Sequence, residues 1–109
     1  MDALQAIRQR RSIRRYTSEA ILKDDLKTIV DAGRLAATGN NRQPWDFIVV
    51  TEKPTIVRFK VSAPWIDCAS AVIVVVMDPS SRWWVEDGAA AIENMLLAST
   101  ALGYGSCWV

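Results

Sequence analysis

The sequence has no histidine among its 109 residues. That absence removes the usual general base at neutral pH, the commonest zinc ligand and every nucleophile that depends on an imidazole partner. Cysteine is nearly as scarce. Cys68 and Cys107 stand far apart with no CxxC spacing, which predicts two buried thiols in a reducing compartment, with no disulfide and no metal site. Long apolar runs are missing too: the longest, Ala71 to Met77, falls far short of the about 20 residues that a bilayer requires. The first residues place Asp2 and Arg8 around a short apolar stripe and lack the hydrophobic centre of a secretory leader, so a cytoplasmic protein is expected. A formal net charge of +1 provides no global attraction for nucleic acid. Neither nucleic acid nor membrane is expected as a partner.

What remains is the composition of a packed globule, with 50% apolar and 23% charged residues and few turn formers. A chain of this size suits one domain, residues 1–109, burying roughly two thirds of the surface of its unfolded form. Any chemistry falls to Arg, Lys, Asp, Glu, Tyr and Cys, or is delegated to a bound cofactor, and delegation is the natural expectation.

Ala3, Leu4 and Ile7 share one face and predict a short helix over Asp2 to Gln9. From Lys23 to Ala36 the residues Leu26, Ile29, Val30 and Gly33 recur at helical spacing, and Thr38-Gly39-Asn40-Asn41 then stops the helix. Trp45 to Thr51 reads as a strand between Pro44 and Pro54. Ala71 to Met77 is apolar at every position, which predicts a central strand covered on both faces. Val85 to Leu102 predicts a long helix with Gly103 as its cap. Ala89, Ala90, Ile92, Met95, Leu96, Ala98 and Ala101 cover most of its circumference, so burial nearly all round is expected. A chain this short has little with which to surround such a helix, so a second subunit is the expected cover.

Two segments carry candidate chemistry. In Arg10-Arg11-Ser12-Ile13-Arg14-Arg15-Tyr16 the guanidinium forks match phosphate and carboxylate oxygens, although a solvated basic face has the same composition. The loop from Ala36 to Phe47 offers backbone N–H groups and carboxamides suited to the polar edge of a heterocycle or to sugar hydroxyls. Trp83 and Trp84 either line a pocket for flat acceptors or pack, and packing is expected. Tyr104 and Cys107 are read as structural.

RRSIRRY near the start, AATGNNRQPWDFIVV some way on and EDGAAAIENMLLASTALGYGSCWV at the end together resemble the nitroreductase family of FMN-dependent NAD(P)H oxidoreductases. The resemblance spans essentially the whole chain. It implies an α+β fold, a sandwich of a central sheet flanked by helices, with the N-terminal and central portion present and the family's C-terminal part lacking. It also implies a homodimer with FMN at the interface. Carried over to matching positions, Arg10, Arg11, Ser12 and Arg14 would hold the phosphate, ribityl chain and pyrimidine edge, and Thr38, Asn40 and Gln43 would reach the FMN of the neighbouring subunit. Arg14 is the expected catalytic cation. The implied reaction is ping-pong transfer of electrons from NAD(P)H to a small acceptor such as a nitroaromatic or a quinone. The alternative is a non-catalytic flavin-binding, dimerising module left by C-terminal truncation.

Overall fold

The computed structural model describes every residue from Met1 to Val109. Helix α1 (Ala3–Gln9) opens on a reciprocal cap. The Asp2 carboxylate accepts the Gln5 N–H at 2.9 Å, and the Gln5 side-chain oxygen accepts the Asp2 N–H at 2.9 Å. Two donors that a helix start leaves unsatisfied are thereby met, which helps so short a helix persist. In α2 (Lys23–Arg34), Asp24 and Asp25 in the first turn and Arg34 in the last complement the helix dipole. Leu26, Ile29 and Gly33 form its buried stripe, as their spacing predicts, and the helix ends at Arg34 rather than Ala36.

Strands β1 (Trp45–Val50) and β2 (Val72–Met77) pair antiparallel, with Trp45 opposite Met77 and Val50 opposite Val72. The chain between them holds α3 (Lys53–Val57) and two 3-10 segments, Arg58–Val61 and Pro64–Cys68. The sheet consists of these two strands alone, so β2 is not the central, doubly covered strand that its apolar run predicts. Its residues are mostly half-buried, and Val76 is exposed. An unbroken apolar run signals burial without specifying how many strands adjoin it. Here β2 borders a cavity of about 980 Å³, lined also by Leu26, Ile29, Met95 and Trp108.

Helix α4 (Trp84–Ala101) packs on α2, α1 and β2. Its contact with α2 is close: a Cβ added to Gly33 would stand 2.9 Å from Met95 Cγ. Asn94 Nδ2 donates to the Ala32 carbonyl at 3.0 Å across the same seam. Burial is one-sided, not all round. Asp87, Gly88, Ala91, Met95, Leu96 and Ser99 are buried, whereas Ala89, Ala90, Ile92 and Ala98 are half-buried and Trp84, Val85 and Ala101 exposed. The small residues that make α4 apolar at every angle are covered by this chain on one side only.

The helix ends in a left-handed turn. Gly103, at φ +88°, donates its N–H to the Thr100 carbonyl, and Tyr104 donates to that of Ser99, so two of the last carbonyls are satisfied. Both cysteines are unpaired, but they are not the buried pair expected, because Cys68 is exposed at the end of its 3-10 segment and Cys107 is half-buried. Only 15 of the 109 residues are buried, which leaves an open interior on the cavity side. No helix is long and apolar enough to cross a membrane.

Candidate functional site

The arginine segment is held by both ends of the sequence. After α1 the chain runs extended through Ser12, which forms an isolated parallel bridge with Ser106, and the Ile13 N–H donates to the Ser106 carbonyl at 2.9 Å. Arg10 Nε lies 3.7 Å from Glu93 Oε1 on α4. Arg11 Nη1 donates to the carbonyls of Arg8 and Arg10 at 2.9 and 2.8 Å, covering the C-terminal end of α1. The Arg14 guanidinium lies over the Trp65 ring, 5.3 Å from its centroid. Neither Arg11 nor Arg14 has a carboxylate partner, and both are exposed. Beside them Tyr16 donates its hydroxyl to the Ile13 carbonyl at 2.5 Å. Burial pushes its phenol above the ordinary 10.0; the Cys107 thiol adds to that rise and the Arg14 charge opposes it.

The loop of small and amide residues is a second, separate structure. Asn40, Asn41 and Gln43 take φ values of 54°, 53° and 54°, a left-handed conformation that non-glycine residues adopt at some cost. Local bonds support it: Thr38 Oγ1 accepts the Gln43 N–H at 3.1 Å, and Gln43 Nε2 donates to Asn41 Oδ1 at 3.1 Å. The start of α4 holds the loop from the other side. Gly39 donates its N–H to Asp87 Oδ1 at 3.2 Å. The Trp83 ring covers Gly39 so closely that a Cβ there would meet Trp83 Cε3 at 2.2 Å. Arg82 stacks on the same ring at 4.9 Å. Trp83 therefore packs, as expected, while Trp84 is 40% exposed.

Sequence reasoning passed over Asp87. The signal was present: Asp87 stands one turn before Ala91 and two before Met95, on the buried stripe, where a lone acid needs an explanation. Tyr104, expected to be structural, donates its hydroxyl to Asp25 Oδ2 at 2.5 Å and ties the end of α4 to α2.

Arg10, Arg11, Ser12 and Arg14 thus share one segment, held by Glu93 in the middle of α4 and by Ser106 after it, and Thr38, Asn40 and Gln43 share one loop, held by Asp87 near the start of α4. The 980 Å³ cavity is lined by Ile13, Arg15 and Tyr16 but by none of those seven residues, so it is not the site that the motifs predict.

The model of the nitroreductase family matches residues 7–60. A protein of Archaeoglobus fulgidus whose name proposes an NADH dehydrogenase or NAD(P)H nitroreductase is 40% identical over 116 residues, covering 99% of this chain and 67% of its own length. A crystal structure from Bacteroides thetaiotaomicron, named in the same way, superposes with a TM-score of 0.94 at 31% identity, covering 98% of this chain and 66% of that one. A proposed nitroreductase from Desulfovibrio desulfuricans, solved in complex with FMN, gives 0.87 at 36% identity over 100% of this chain and 68% of that one. The chain therefore spans about two thirds of the length of these relatives. Its α+β arrangement is theirs, and likeness in sequence and in fold runs along its whole extent: the chain belongs to the nitroreductase family.

Proposed function

We propose that the chain works as a subunit of an FMN-dependent oxidoreductase that passes electrons from NAD(P)H to a small acceptor. The observation that carries this reading is the set of exposed guanidinium groups on one short segment, Arg11 and Arg14 with their neighbour Arg15, with no carboxylate to neutralise them. Such forks suit phosphate oxygens and the acceptor-rich pyrimidine edge of a flavin. FMN bound in the Desulfovibrio desulfuricans relative supports the choice of ligand.

In this reading Arg10, Arg11, Ser12 and Arg14 hold the phosphate, ribityl chain and pyrimidine edge. FMN held by these residues would supply two-electron chemistry between NAD(P)H and, in ping-pong order, a nitroaromatic, a quinone or a similar acceptor. Arg14 contributes positive charge where reduction builds negative charge, and that favours the reduced state. No side chain is required to move a proton.

Thr38, Asn40 and Gln43 serve the flavin of a second copy. In a homodimer each ligand would meet the arginine segment of one copy and the amide loop of the other. The half-buried apolar residues of α4 supply a surface for that pairing.

The test is an absorbance spectrum of purified protein with FMN, before and after reduced nicotinamide, together with a measured mass. A yellow protein that bleaches, at double the 12.1 kDa of one chain, supports the proposal. Yellow protein that does not bleach indicates a flavin-binding module without turnover, and failure to take up FMN overturns the reading. Arg14→Ala should weaken FMN binding about tenfold and slow bleaching; unchanged occupancy and rate would remove Arg14 from the mechanism.

A further inference from the structure

Asp87 is a buried carboxylate with one of its two oxygens in use. It is 5% exposed, Oδ1 accepts the Gly39 N–H, and Oδ2 has no partner. Burying a carboxylate is costly unless its oxygens find donors, so its presence on the α4 stripe calls for a return elsewhere. The return lies in the loop. Thr38–Gln43 contains three left-handed residues, and its bonds to the rest of the chain are few; Asp87 supplies the one that reaches Gly39, while the Trp83 ring blocks the loop from moving towards the helix. The arrangement resembles a clamp with a hard side, the indole, and a polar side, the carboxylate.

We propose that Asp87 is a positioning residue for FMN binding. It fixes the backbone of Gly39, and through it the left-handed turn that presents Asn40 and Gln43 to the ligand. The inference rests on the flavin reading above, and it assigns to α4 a second task beyond packing. The charge itself is not the active element. What matters is an acceptor of the right length at Oδ1, which an asparagine side chain also provides.

The experiment compares wild type, Asp87→Ala and Asp87→Asn by FMN fluorescence titration at a temperature where each is folded, and by amide hydrogen exchange at Gly39. The alanine variant should bind FMN about tenfold more weakly, the loss expected when a part-buried donor is left without its acceptor. Its Gly39 amide should exchange fast while amides of α2 and α4 stay protected. The asparagine variant should restore slow exchange at Gly39 and FMN affinity to within about threefold of wild type. If Asp87→Ala does not fold, Asp87→Ser takes its place, since its shorter side chain stays polar but does not reach Gly39. A lower melting temperature with unchanged FMN affinity would reduce Asp87 to a structural residue and overturn the proposal. Failure of Asp87→Asn to rescue would overturn it as well. If wild type itself takes up no FMN, the flavin reading falls first; if wild type binds and the variants bind equally, only the role of Asp87 falls.

Discussion

Helices α2 and α4 meet with no room for a methyl group between Gly33 and Met95, whereas β2 looks onto a cavity of about 980 Å³. The two regions draw on the same residue types, aliphatic side chains with small residues between them. The difference lies in what stands opposite. A close seam turns every added atom into strain, and an open flank absorbs it. Stability in this chain is therefore expected to concentrate along α2 and α4, with the strand pair depending on them, since two strands alone are marginal in water.

The sharpest way to break that comparison is to add volume on each side. Gly33→Val should cost about 2 kcal/mol in chemical denaturation followed by circular dichroism, because the branch forces Met95 aside. Val74→Phe, which enlarges a side chain beside the cavity, should change stability by less than about 1 kcal/mol in either direction. A larger loss at Val74 than at Gly33 would reverse the assignment of tight and loose regions. The smallest effect is confined to alkali. Hydrogen bonding to Asp25, and then burial, raise the Tyr104 phenol above its ordinary 10.0. A folded-state value above the unfolded one means that folding favours the neutral phenol. Its contribution is complete below pH 10.0 and is lost as pH rises through the folded value. Tyr104→Phe should therefore flatten part of the alkaline fall in stability while leaving its slope below pH 8 unchanged; an unaltered alkaline profile would detach the Tyr104–Asp25 bond from the α2–α4 seam.

The sequence made the long elements legible for a simple reason: α2 and α4 are long enough for a helical repeat to declare itself, and β1 is bounded by Pro44 and Pro54. The elements between β1 and β2 were not legible, because α3 and the two 3-10 segments hold a turn or so each and show no repeat. Apolar content misled at β2, where it suggested a central strand, whereas burial depends on what a chain has to place against such a surface. Cys68 taught the same lesson in miniature, exposed despite a residue type that is usually buried. In the candidate site, the arginines and the amide loop stood out by composition, and their placement on two separate anchors did not. Asp87 and Trp83 act through contacts to Gly39 that are distant in sequence, and no local pattern encodes such contacts.

The bridge between Ser12 and Ser106 joins nearly the first residues to nearly the last. During synthesis from the N-terminus the basic segment therefore emerges long before the stretch that orders it, and Gly103 must first reverse the chain after α4. The bridge to Ser12 forms only once the residues around Ser106 have been added.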